Sequence, residues 1–285
     1  MSASSSLRNL VLLTRPHNGL IAAASVLVGS FLARGSVTPS VVAASGMTFL
    51  VCSGAYALND VYDLETDRLN RPARPLASRA ITPRLAVGLA MALWALGALV
   101  VLFGPAPAGA FFLAWTGLLW LYSWKVKALG WAGHLLVSTV ASSGLMLGAE
   151  LGGNWRAGII PVGIAFLFHL TREIAKSIAD LPGDRSAGLL TVAVRVGEGR
   201  AWSVLIPLTG AAVGLSLFPF ITGVYGRLYF LPTAAVIYPI LGVCLWKTIR
   251  ARRGSVEPRQ AADSVAKMLK ATMPVGLVAF LLAGV

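Results

Sequence analysis

Acidic side chains are what this chain has least of: 11 Asp and Glu stand among 285 residues, against 24 Lys and Arg. Charged residues of both signs make up 12% of the sequence, about half the share usual in a soluble domain. That scarcity excludes an ordinary water-soluble fold. Cysteine is nearly absent. Cys52 and Cys244 both fall within apolar runs, so they read as small apolar residues rather than a disulfide pair, and no Cys pair suits zinc. The three histidines, His17, His134 and His169, lack metal-ligand spacing, and the last two read as packed polar residues. A Gly-x-Ser-x-Gly elbow and a phosphate-cradling Gly-rich loop are both missing, which excludes the hydrolase and P-loop chemistries built on them.

Long apolar runs are what the chain does have. Hydrophobic residues make up 56% of it. Runs bounded by breakers predict nine membrane spans near 17–33, 40–60, 84–103, 106–122, 132–150, 157–175, 202–222, 228–246 and 266–284. The fold expected is an all-α polytopic membrane bundle. The first run continues past Ala22–Ser25, where a cleaved signal peptide would end, so it reads as an uncleaved span. With the N-terminus inside, 21 of the 24 Lys and Arg residues fall on the inner side, and only Arg34, Arg156 and Arg227 fall outside. This asymmetry predicts an N-in, C-out protein of the cell (inner) membrane. It also accounts for the net charge of +13 without nucleic acid, because the basic excess faces lipid head groups and anionic substrates.

Two of the few acidic clusters share one pattern, Asp-Leu-x-x-Asp-Arg, at Asp63–Arg68 and Asp180–Arg185. Each closes an apolar run on the inner side. Asn59, Asp63 and Asp67 recur every fourth residue and drift only about 40° per step on a helix, so they share a face that Asp60 can join. A merely solvated helix end would favour cations near its C-terminus, not carboxylates. Oxygen-rich clusters suit a hard cation such as Mg2+, which bridges to phosphate oxygens. Asp180 and Asp184 repeat the spacing, although Pro182 places them across a kink or a helix end. Candidate metal ligands are therefore Asn59, Asp60, Asp63, Asp67, Asp180 and Asp184. Arg68, Arg71 and Arg74 follow in a proline-broken segment, and guanidinium forks there suit a diphosphate. Tyr122 and Lys127 end the fourth span on the same side, while Arg172 and Lys176 end the sixth.

Asn59–Asp67 with the trailing Arg68-Leu-Asn-Arg-Pro-Ala-Arg-Pro-Leu76 resembles the first signature of the UbiA superfamily of intramembrane prenyltransferases, and Asp180–Asp184 is similar to its second. Arg15-Pro16 and Tyr122-Ser-x-x-x-Lys127 match weaker family positions, and the resemblance spans nearly the whole chain. It implies a helical bundle around a central cavity open to lipid, with the active site on the cytoplasmic side. Two Mg2+ ions would bridge the Asp motifs to a prenyl diphosphate donor, and a lipid-soluble acceptor would attack the allylic carbon. Arg172–Lys176 with Gly183-Asp184-Arg185 and Gly188-x-x-Thr191 is most similar to the branch acting on geranylgeranylglyceryl phosphate. The chain departs from that branch at Ser177, where Asp is usual, and at Pro182, where Glu is usual. His134 stands where many relatives have Asn.

Aromatic acceptors such as 4-hydroxybenzoate or homogentisate, and chlorophyllide, stay open at this point. A transporter fits nine spans less well, because transport sites place charges near the bilayer midplane. A phosphatidyltransferase would need an Asp-Gly…Ala-Arg pattern that the chain lacks. One domain, 1–285, is expected. The shared motif suggests a parallel repeat over 1–130 and 131–250, with a ninth helix at 266–284 appended.

Overall fold

The computed structural model describes residues 3–102 and 104–284, and every regular element among them is helical. In chain order the α-helices are α1 (Ala3–Thr14), α2 (Pro16–Arg34), α3 (Pro39–Tyr62), α4 (Leu64–Asn70) and α5 (Pro83–Leu102). They continue with α6 (Ala106–Trp124), α7 (Trp131–Ser142), α8 (Gly144–Leu151), α9 (Ile159–Ala179) and α10 (Leu181–Ser186). The last five are α11 (Val192–Val196), α12 (Glu198–Ile221), α13 (Arg227–Pro232), α14 (Tyr238–Arg252) and α15 (Pro258–Ala283).

Among the described residues, eight helical stretches are long and apolar enough to cross a bilayer, α7 with α8 and α13 with α14 each making one. The chain is an integral membrane protein. The fourth expected span is also a helix, α6, of 19 residues, but its Trp, Thr, Gly and Pro residues dilute its hydropathy and it is not among the eight. Helix starts follow the sequence chemistry. Proline occupies the first turn of α2, α3 and α15, where no intrahelical partner is lost, and Thr38 caps α3 by accepting from Val41 N. Gly35 ends α2 in the left-handed region, its N–H donating to Phe31 O.

The basic segment 247–270 is mostly helical: α14 runs to Arg252 and α15 begins at Pro258, ahead of the start expected for the ninth span near 266. Lys and Arg are good helix formers. Glu257 also caps α15 by accepting from the Arg259 and Gln260 amides. Hydropathy registers the charge of such a segment and not its backbone state. Lys267 and Lys270 thus sit on a helix that packs against α9 and α2.

Two apolar cores flank the middle of the bundle. One joins α9, α12, α14 and α15 around Trp202, Ile174 and Leu269; the other joins α2, α3, α6 and α8 around Val26, Met47 and Leu147. The tightest contact is between α2 and α8. A Cβ on Gly144 would strike Ser25 Oγ, one on Gly148 the carbonyl oxygen of Val26, and one on Gly29 the carbonyl oxygen of Leu145. Lipid offers no hydrophobic drive between helices, so close backbone approach through small residues holds this pair.

Gly148→Ala forces the two backbones apart and is expected to cost about 1–3 kcal/mol, seen as a lower melting temperature in detergent. Gly46→Ala, where a Cβ meets nothing within 4 Å, serves as the neutral control.

Candidate active site

Both acidic motifs are built in the same way. A long helix ends, an aspartate takes the capping position, and a short helix follows. Asp63 closes α3 at φ −88°, ψ 3° before α4, and Asp180 closes α9 at φ −90°, ψ 2° before α10. Pro182 lies in the first turn of α10, where its missing N–H costs nothing. The second aspartate of each motif, Asp67 or Asp184, then projects from the short helix and is buried.

Asn70 joins the two motifs. Its Nδ2 donates to the Asp180 carbonyl at 2.9 Å, and its Oδ1 accepts from Gly183 N at 3.1 Å. A Cβ at Gly183 would collide with the Asn70 amide, so α4 and α10 dock only because position 183 has no side chain. Beside this clasp, Arg71 pairs with Asp180 at 2.8 Å.

Each carboxylate has a partner. Lys127 binds both oxygens of Asp63, and Asn59 Nδ2 donates to the same carboxylate at 2.7 Å. Arg74 binds Asp67 and reaches Asp60 at 3.3 Å. Arg15 also binds Asp60 and stacks on Tyr56 at 4.8 Å. Its backbone is left-handed (φ 47°), a conformation that costs a non-glycine residue stability and here directs the guanidinium inward. Asp184 accepts from Thr191 Oγ1 at 3.1 Å. Burial pushes the Asp184 carboxyl up to about 6, with Lys127 opposing and Asp180 reinforcing the shift. Burial also raises Asp67, against the pull of Arg74. Among the described residues no three acidic, His or Cys side chains already form a metal cluster, because arginines and lysines stand between them.

A cavity of about 600 Å3 is lined along its polar part by Arg15, Asn59, Arg71, Arg74, Tyr122, Arg172 and Lys176. The five motif aspartates and Lys127 are not among its lining residues; Arg15, Asn59, Arg71 and Arg74 link Asp60, Asp63, Asp180 and Asp67 to it. A second, more apolar cavity of about 180 Å3 adjoins it and shares Tyr56, Arg172 and Glu173; Leu145, Phe168, Tyr229 and Phe280 lie along its walls. A π-helical turn, Thr233–Ile237, presents Thr233 and Ile237 to this deeper space.

The structure therefore gathers most of the expected residues at one place. Arg68 is apart: it bonds the exposed Glu65 at 2.7 Å and no motif aspartate, because one step along α4 from Asp67 turns it about 100° away. The three departures from the family pattern have local explanations. Ser177 Oγ donates to the Ile174 carbonyl at 2.8 Å, a bond within its own helix. Pro182 starts α10. His134 is buried, and its Nε2 accepts from Val192 N at 3.4 Å, tethering the segment whose Thr191 holds Asp184. Asn70, His17 and Lys270 were not singled out as site residues by sequence, whereas Glu173 stands with Arg172 and Lys176 at the end of the sixth expected span. Glu173 carries Arg172 in an ion pair and lines both cavities. For Asn70 the one available signal was its place within the signature.

The sequence profile of the UbiA prenyltransferase family matches residues 22–269. The digeranylgeranylglyceryl phosphate synthase of Methanopyrus kandleri is 34% identical over 272 residues, covering 94% of this chain and 96% of that one. The protein of the same name from Halobacterium salinarum is 37% identical over 226 residues, covering 78% and 81%. Among solved structures, a digeranylgeranylglyceryl phosphate synthase superposes with TM-score 0.69 at 26% identity, over 98% of each chain. A UbiA homolog from Archaeoglobus fulgidus bound to GPP and Mg2+ superposes with TM-score 0.69 at 21% identity, over 95% of this chain and 99% of that one.

Asn70→Ala removes both bonds of the clasp and is expected to lower unfolding stability by about 1–3 kcal/mol. Thermal unfolding checks this, and Asn70→Asp, which keeps the acceptor but loses the donor to Asp180, should recover only part of the loss.

Proposed function

The chain belongs to the UbiA prenyltransferase family, and we propose that it transfers a geranylgeranyl group from geranylgeranyl diphosphate to geranylgeranylglyceryl phosphate. The observation that carries this reading is the union of two aspartate motifs, 117 positions apart, whose partner arginines Arg15, Arg71 and Arg74 line a cavity. The names of the relatives reported above support the choice of acceptor. The charge asymmetry supports an N-in, C-out orientation with the site on the cytoplasmic side. The matching caps at Asp63 and Asp180 support a duplicated unit within a single domain.

The residues present suit magnesium. The donor set is all oxygen, and Asp60 Oδ2 is buried without a hydrogen-bond partner. Asn59, Asp60, Asp63, Asp67, Asp180 and Asp184 would hold the ions. Bound there, Mg2+ supplies charge neutralisation to the diphosphate, which makes it a better leaving group. The protein's own part is electrostatic and steric. Arg71, Arg74 and Lys127, now bound to carboxylates, are placed to hold diphosphate oxygens. The apolar cavity walls take the isoprenoid chains and exclude water from the allylic carbon. The acceptor hydroxyl oxygen bonds to the allylic carbon as that carbon's bond to the diphosphate oxygen breaks, and the hydroxyl proton passes to the departing diphosphate.

Purified protein with labelled geranylgeranyl diphosphate, Mg2+ and a panel of acceptors tests the reading. Mass analysis should find the diether phosphate; prenylated 4-hydroxybenzoate or homogentisate instead would replace the assigned acceptor. Asp67→Asn and Asp184→Asn should each lower turnover by at least about a hundredfold while the protein still folds in membranes. Asp184 holds a proton below about pH 6, and a metal ion must displace it. The Mg2+ concentration for half-maximal activity is therefore expected to be flat above pH 7 and to rise by about tenfold per unit as pH falls below 6.

A further inference from the structure

Lys270 sits within α15, a membrane-spanning helix, yet it forms no ion pair among the described residues. Its polar partner is His17 Nε2 at 2.7 Å, from the first turn of α2 and 253 positions away. The ammonium only donates, so this nitrogen accepts and the neutral imidazole carries its proton on Nδ1. Arg172, on α9, lines the same two cavities as Lys270. It spends one guanidinium nitrogen on Glu173, and its Nε is buried with no partner. Lys176 has the same Glu173 as its nearest carboxylate, at 4.0 Å. Arg172 and Lys176 thus share one carboxylate and Lys270 pairs with none, while Asp263, the carboxylate of α15 at this cavity, is taken by Lys267. A cation left without a counter-charge at membrane depth is costly, and such residues mark binding sites.

We propose that Lys270, oriented by His17, and Arg172 form a second anion subsite that receives the phosphate of the acceptor. The inference rests on the reading of the acceptor as a phosphomonoester lipid. That acceptor and the diphosphate donor are both strongly anionic, and in one low-dielectric cavity they repel unless each has its own cations. Arg71, Arg74 and Lys127 belong to the aspartate motifs and so to the donor. The Lys270 wall supplies a separate positive centre on different helices. It also borders both cavities, so an acceptor anchored there can keep its head near the reacting carbon and its chain in the apolar space.

Calorimetric titration of the detergent-solubilised full chain, without Mg2+, compares geranylgeranylglyceryl phosphate with its dephosphorylated analogue, geranylgeranylglycerol. The wild type is expected to bind the phosphate form at least about tenfold more tightly, as charge-assisted bonds require. Lys270→Ala should lose most of that preference, while Lys270→Arg keeps it. In steady-state assays Lys270→Ala should raise the KM for the acceptor about tenfold and leave that for geranylgeranyl diphosphate within about twofold. A phosphate preference that survives Lys270→Ala, or is missing from the wild type, overturns the subsite. So does an equal loss of donor and acceptor affinity. If the preference exists and depends on Lys270 but no diether product forms, the subsite stands and the proposed reaction fails. If product forms and Lys270→Ala leaves acceptor binding untouched, the reaction stands and the subsite fails.

Discussion

Carboxylates held out of bulk water cannot stay ionised without counter-cations, and that constraint organises this molecule. Asp60, Asp63 and Asp67 are almost wholly buried, at 1%, 6% and 5% exposure. Each is matched to a cation from elsewhere: Arg15 from the start of α2, Lys127 from beyond α6, Arg74 from the segment after α4. Charge neutralisation thus doubles as cross-bracing, since Arg15 and Lys127 tie distant segments to the α3–α4 junction and Arg74 folds the segment after α4 back onto it. The same cations stand where an anionic substrate needs them. Removing one partner of such a pair leaves an uncompensated buried charge, so folding and binding draw on one set of side chains.

Much of the fold was legible because apolar runs of bilayer length have few alternatives once backbone hydrogen bonds must be satisfied in lipid. The spacing of Asn59, Asp63 and Asp67 predicted one face of one helix, whereas α3 ends at Asp63 and Asp67 stands on α4. What escaped depended on contacts between distant positions. Asn70 reads in isolation as one polar residue in a basic, proline-rich stretch; its meaning comes from α10, more than a hundred positions away. Lys270 counted in the sequence only as one of the inner-side basic residues. Only the packing of α15 on α9 and α2 turns that residue inward. Arg68 failed for the opposite reason: it belongs to the signature, but the rotation of a single residue on α4 points it at Glu65 and water.

The departures from the family pattern follow the same logic. Ser177 and Pro182 stand where carboxylates are usual in the branch, which leaves fewer of them in the second motif, and His134 stands where many relatives have Asn. In place, Ser177 satisfies its own helix and Pro182 begins the next one, while His134 braces the backbone next to Thr191 and so steadies Asp184 from behind. A position that lacks a carboxylate can still shape the ones that remain.

Asn70 and Gly183 bear on how the chain can change over time. The amide fills the space a β-carbon would need at 183, so neither position can drift alone. Any enlargement at 183 requires a smaller residue at 70 in compensation. Hybrids that join the front portion of one relative to the rear portion of another would inherit the two from different ancestors, and compatibility at this single joint would decide which of them assemble.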